Sequence, residues 1–204
     1  MAASRTTMQT LVDRIRNLTN VGASDYTVGA TTYWDDDHLQ TVLDRHQTFV
    51  IDHTLTWAPE LRDGGTVNYL TAVSGYRNWE KTDGGTARFV IRQTVGTIES
   101  STNYTPDYEN GRVTWSSTQG GTVTFMIVGY SYDIYAAAID VLEQRLAYVD
   151  YWYDFEADNQ TFTRSQVIAN LNNLIAQYRL RVGDNVKTAK AGNLKLSQMV
   201  RVDI

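Results

Sequence analysis

Three consecutive carboxylates followed by an imidazole, Asp35-Asp36-Asp37-His38, come nearer to chemistry in type and spacing than any other stretch of this chain. Oxygen donors beside a ring nitrogen are what a divalent cation selects. A metal site needs a second group of ligands, and the other histidines, His46 and His53, stand at no metal-binding spacing from His38. The same residues read completely as a helix start. With Asp35 as N-cap, Trp34 precedes it and Leu39 falls at the fourth helical position, the spacing of a hydrophobic staple. Asp36 and Asp37 then set negative charge against the exposed N–H groups of the first turn. Leu39, Val42, Leu43 and His46 continue the buried stripe. The expectation is a structural helix start, with no metal and no other cofactor.

Other routes to catalysis are poorly supplied. The chain has no cysteine, which removes disulfides, thiolate nucleophiles and thiolate metal ligands. None of its serines lies in a nucleophile-elbow setting. Gly-Gly-Thr occurs at 64–66, 84–86 and 120–122, each time ahead of a strand-like run rather than a helix, so the triplets read as tight turns and not as phosphate cradles. Asp107 and Glu109 flank a hairpin, where carboxylates are ordinarily solvated. Trp57, Tyr69, Tyr76, Trp79, Tyr104 and Trp115 could make a sugar-stacking platform, but aromatics in strands more often fill a core. No catalytic residue is assigned. A carbohydrate-binding or glycan-hydrolysing module built on these aromatics is the alternative reading.

At 204 residues, 42% hydrophobic and 20% charged, the chain can bury a substantial core. It shows no membrane-spanning run and no signal-peptide pattern. The lack of cysteine fits folding in a cytoplasm. A net charge of −5 disfavours a protein whose task is to grip nucleic acid. Residues 184–204 nevertheless carry Lys187, Lys190, Lys195 and Arg201 against Asp184 and Asp203, a basic tail on an acidic body.

The elements follow from periodicity. Thr6 and Gln9 have capping-box spacing ahead of Met8, Leu11, Val12, Ile15 and Leu18, and Asn20 and Gly22 stop that first helix. The Trp34–Leu39 motif opens the second. From residue 48 the period becomes two: Phe49, Ile51, His53, Leu55 and Trp57 alternate toward Pro59. Strand-like runs follow at 67–73, 87–95, 112–115 and 122–130, with Asn110-Gly111 as a two-residue hairpin signal. Tyr132, Tyr135, Ala136, Ile139, Leu142, Leu146 and Val149 then line a helix of about five turns. After an aromatic knot and the polar loop EADNQ, Thr163 and Gln166 repeat the capping-box spacing, with Phe162 and Val167 as a staple. Val167, Ile168, Leu171, Leu174, Ile175 and Tyr178 form the stripe, and Gly183 is a C-cap candidate. The tail has no helical stripe; Leu194/Leu196 and Val200/Val202/Ile204 alternate. The fold class is α+β. A four-helix frame, two N-terminal and two C-terminal helices at 1–47 and 131–183, carries an inserted antiparallel β domain at 48–130 and an extended C-terminal tail at 184–204.

This order of features resembles head-to-tail connector adaptor proteins of tailed bacteriophages, in the variant with an inserted β domain. The likeness rests on LVDRIRNLTN followed by TTYWDDDHLQTVLDRH, on the hairpin YENGRVTW, and most specifically on SYDIYAAAIDVLEQRLAYVDYWYDFEADNQTFTRSQVIANLNNLIAQYRLR. Roughly half the chain carries it, in two separated blocks. The resemblance implies a structural, non-enzymatic virion protein, made in the host cytoplasm and placed at the head–tail interface. Such adaptors form a ring, typically of twelve subunits, below the portal protein; they hold the next head-closure, stopper or tail protein and continue the packaging and ejection channel. Double-stranded DNA passes without sequence-specific binding, and no membrane is involved. The resemblance also implies that the C-terminal segment docks on the portal. Here the alternating, basic Lys187, Lys190, Lys195, Leu196, Val200, Arg201 and Val202 suit strand addition to a partner's sheet edge.

Overall fold

Leu11, Val12 and Ile15 recur at helical spacing because they line the buried face of α1 (Gln9–Thr19) in the computed structural model. The structure describes residues 5–23, 25, 27–28, 31–61, 65–82, 88–93, 96–149, 155–157, 160–162 and 164–183. The chain enters α1 through a 3-10 turn, Thr6–Met8, and the capping box suggested by Thr6 and Gln9 is not made. The Gln9 amide instead reaches forward to Asp13 Oδ1 at 2.9 Å. Asn20 ends the helix in the left-handed region, where asparagine is tolerated.

A short hairpin, β1 (Thr27–Val28) and β2 (Thr31–Thr32), occupies what reads in sequence as a polar loop. Then α2 (Asp36–Arg45) starts as its residues dictate: Asp35 accepts the His38 backbone N–H at 2.8 Å, and Trp34 and Leu39 are both buried in one apolar core.

The alternating run at 48–57 is not one strand. It divides at Leu55 into β3 (Gln47–Thr54) and β4 (Thr56–Leu61), which enter different sheets. A bulge between Val50 and His53, with Asp52 at φ 47°, reverses the expected facing: Val50 is buried, while Phe49 and Ile51 are outside. Nor does Pro59 end the run. β4 continues to Leu61 as an edge strand with its register shift at the proline, where a missing N–H is harmless. The remaining strands are β5 (Val67–Val73), β6 (Phe89–Gln93), β7 (Tyr104–Asp107), β8 (Arg112–Trp115) and β9 (Phe125–Tyr132). They make antiparallel sheets of order β3-β9-β6 and β4-β5-β8-β7, whose inner faces share a core containing Trp79, Ile91, Val113, Trp115, Phe125 and Ile127. The Asn110-Gly111 hairpin is present, but its loop has four residues, because Asp107 pairs with Arg112. Asp107 accepts both the backbone N–H and the side-chain amide of Asn110, which fixes the longer turn.

Asp133 opens α3 (Ile134–Val149) by accepting the N–H groups of Tyr135 and Ala136. This helix is buried on two sides. The stripe legible in sequence, with Ile139, Leu142, Leu146 and Val149, faces α4 (Arg164–Arg179). A second stripe of Ile134, Ala137, Ala138 and Val141 packs against α1 and α2. Tyr132 belongs to β9 rather than to the helix. Between α3 and α4, strands β10 (Phe155–Ala157) and β11 (Gln160–Phe162) form a hairpin in place of the expected polar loop. The protein is thus α+β, with four α-helices and two principal antiparallel sheets among the described residues.

Removing the α2 cap tests the structural role of the aspartate triplet. Asp35→Ala is expected to lower unfolding stability by about 1 kcal/mol in chemical denaturation, and Asp36→Ala by a smaller fraction.

Candidate functional site

The densest polar cluster among the described residues lies where the helices meet the sheets, and its centre is Glu80, with no exposed surface. The residues before it place it there. The Asn78, Trp79 and Glu80 N–H groups bond to the Glu109, Tyr108 and Tyr130 carbonyls, so this segment is laced between the β7–β8 turn and β9. A buried carboxylate is tolerable only with its oxygens satisfied. Oε1 accepts Arg5 Nε at 3.0 Å and Thr7 Oγ1 at 2.6 Å, and Oε2 accepts the Tyr132 hydroxyl at 2.7 Å.

Arg5 also forks onto α2. Its Nη1 and Nη2 donate to the two Asp44 oxygens at 3.0 and 2.7 Å, and its backbone N–H donates to Gln40 Oε1 at 2.6 Å. The Asp44 hydrogen bonds, then the field of Glu80, keep the guanidinium protonated against the opposing effect of burial. Burial, reinforced by Glu80, pushes the Tyr132 phenol far above its usual range, so it stays a donor. This constellation fastens four chain segments to one another. Every Glu80 oxygen faces a donor of the chain itself, so its chemistry is that of a clasp.

Beside it, a cleft of ≈ 190 Å³ is lined by Arg14, Asn78, Glu109 and Tyr135, among others. Arg14 crosses it, donating to Asn78 Oδ1 at 2.6 Å and pairing with Glu109 at 3.1 Å, so α1 is tied to the β7–β8 turn as well. His53 lies on the sheet side. Its Nε2 accepts the Gly75 N–H at 3.3 Å, its ring meets Tyr76 edge-on, and burial lowers its pKa below the ordinary imidazole value.

Of the residues singled out in sequence, Trp34, Asp35 and Leu39 come together at the α2 start. His38 Nε2 bonds to Gln144 Oε1 at 3.0 Å, and His46 Nε2 to Asp140 Oδ2 at 2.8 Å, so both rings link α2 to α3. No three His, Asp or Glu side chains among the described residues are placed to hold a metal ion. Val167 packs in the α3–α4 core and Gln166 is exposed in the first turn of α4; Phe162 lies in β11, while Thr163 is outside the described residues. Gly183, with φ 84°, stands four residues beyond the helix end, and its N–H donates to Asp133 Oδ2 at 2.6 Å. Lys187, Lys190, Lys195, Leu196, Val200, Arg201 and Val202 all lie outside the described residues. Trp79, Tyr104 and Trp115 are buried in the core between the sheets, and Trp57 and Tyr76 pack against it. The clasp itself escaped sequence reasoning, since Arg5, Asp44, Glu80 and Tyr132 lie far apart in the chain and match no motif.

No family model matches the chain, and no curated protein or solved structure is significantly similar to it. Among the described residues no helix is long and apolar enough to cross a membrane.

Two measurements test this site. Glu80→Ala should cost about 3–5 kcal/mol in denaturant unfolding, because it strands buried donors and a paired cation, whereas Asp107→Ala should cost far less. His53 has the opposite sign to a salt-bridged histidine. Its lowered pKa means that the unfolded chain binds the proton first, so stability should fall as pH drops below about 6.5. His53→Gln should flatten that slope.

Proposed function

We propose that the chain is a head-to-tail connector adaptor of a tailed bacteriophage: a non-enzymatic virion protein whose copies form a dodecameric ring between the portal and the next head-closure or tail protein, continuing the channel for double-stranded DNA. In this reading residues 1–47 and 131–183 are the helical frame, 48–130 an inserted β domain, and 184–204 the segment that docks on the portal.

The observation that carries the proposal is the Glu80 clasp. It spends the densest polar cluster among the described residues on fixing Glu80 of the β block to the N-terminal segment, to α2 and to the end of β9, from which α3 follows. A part that transmits position and load between two assemblies needs such a joint. The acidic balance of the chain also suits a conduit, because a wall that repels phosphates does not retain passing DNA. The glycan-binding alternative draws less support, since Trp79, Tyr104 and Trp115 turn their faces to the core and not to solvent.

Mixing the purified protein with its cognate portal and weighing the product by native mass spectrometry is the direct test. The expected outcome is a discrete complex of fixed stoichiometry. Deleting residues 184–204 should leave the thermal melt unchanged and abolish portal binding. Undiminished binding by the truncated chain would remove the docking role from the tail.

A further inference from the structure

The three-stranded sheet β3-β9-β6 has two apolar faces: one lies wholly inside, and the other is covered by the helical core only at its Tyr130–Tyr132 end. Its inner residues, Val50, Phe89, Ile91, Phe125 and Ile127, fill the core between the sheets. On the opposite face Phe49 pairs in register with Tyr130, and Val90 with Val128. Phe49 is 51% exposed and Ile51 65%, on a face where solvated sheets ordinarily carry polar residues. The Phe49 and Tyr130 rings lie 4.7 Å apart, so this is a contiguous patch rather than scattered apolar residues. The bulge places Asp52 in the left-handed region and shifts the phase of the chain so that Val50 and Leu55 both enter the core while Ile51 stays outside.

Arginines border the patch. Arg88 stacks over Tyr130 at 5.1 Å but is already committed to the buried Glu80 carboxylate, 3.7 Å away, so the charge offered to a partner is that of Arg92. Arg92, 39% exposed, has a buried Nε without a hydrogen-bond partner among the described residues, and meets Asp52 only at 3.9 Å. This border selects the occupant. The chain's own basic tail would be repelled, and a phosphate backbone gains nothing from the apolar floor. An acidic protein surface with an apolar hollow fits.

On other elements the chain itself carries an apolar hollow with one exposed carboxylate at its rim. Between α3 and α4 a groove of ≈ 340 Å³ is lined by Leu146, Ala147 and Ile168, with Glu143 on its rim. Glu143 pairs with Arg179 at 3.0 Å, and the two side chains are 49% and 64% exposed. An exposed pair of this kind is worth little, so Glu143 can take a second arginine at small cost.

We propose that neighbouring copies meet head to tail, the Phe49–Ile51 ridge of one copy seating in the α3–α4 groove of the next, with Arg92 facing Glu143. Two different surfaces of one chain are joined, so the contact is heterologous and repeats into a ring when its rotation closes. The inference rests on the ring reading and assigns the surfaces that build it.

Phe49 and Ala147 are both exposed, so substitutions there leave the fold intact. Sedimentation velocity should show concentration-dependent association of the full-length chain. Phe49→Glu, which opposes Glu143, and Ala147→Arg, which opposes the arginine border, should each weaken association at least about tenfold. Ile51→Glu serves as an independent sheet-side variant. The decisive sample is an equimolar mixture of Phe49→Glu and Ala147→Arg. Each retains one good surface, so the mixture should form a 1:1 heterodimer and nothing larger. Loss of association with Phe49→Glu alone, Ala147→Arg behaving as wild type, would mean a sheet-to-sheet dimer and overturn the proposal. Unchanged association in both variants overturns the assigned surfaces but leaves the ring reading standing. A wild type that stays monomeric at every concentration overturns the contact itself, while the portal-mixing experiment decides the ring reading separately.

Discussion

A buried carboxylate sets the terms for the rest of this structure. Enclosing Glu80 away from water is costly unless donors replace its hydration, and those donors come from well separated parts of the chain: Arg5 and Thr7 before α1, and Tyr132 at the end of β9. Arg5 must in turn be held by Asp44 on α2. The helices and the sheets therefore cannot shift independently, because any displacement would strand a charge. Apolar burial supplies most of the folding free energy in a chain of this kind. The Glu80 cluster adds a single permitted arrangement of the two halves, which a non-directional apolar contact alone would not specify.

Much of the fold is legible where a local rule operates. The cap at Asp35, the stripe of α4 and the positions of β5 and β8 follow from spacing, because each depends on neighbours within a few residues. The misread elements are those in which distant packing overrides a local pattern. Phe49 and Ile51 alternate as if buried, yet a bulge turns them outward. One stripe is visible on α3, but the alanines that let α1 and α2 approach its other side carry little hydrophobic signal. The clasp leaves no trace in the sequence, since a single arginine, two carboxylates and a tyrosine spread over more than half the chain have no periodicity to detect.

The aspartate triplet and the clasp make the same point from opposite directions. The triplet looks reactive in sequence and proves to be the start of a helix, with His38 turned to Gln144. The residues around Glu80 look ordinary and prove to hold the most constrained charges of the described chain. In both places the polar groups answer to one another. The part of the outer face of the three-stranded sheet that stays open, around Phe49 and Ile51, is apolar rather than chemical.

The separation of the clasp residues along the chain also governs when the protein can mature. Arg5 and Glu80 are 75 residues apart, and Arg5 and Tyr132 are 127 apart. On a translating ribosome Arg5 can meet Asp44 on α2 early, but Glu80 and Tyr132 arrive much later, so the clasp stays incomplete while the β strands are made. Closure of so long a loop is entropically slow, and it comes only after β9 has appeared. Newly made chains therefore pass through an interval with the joint open, which ends only once β9 is available to close it.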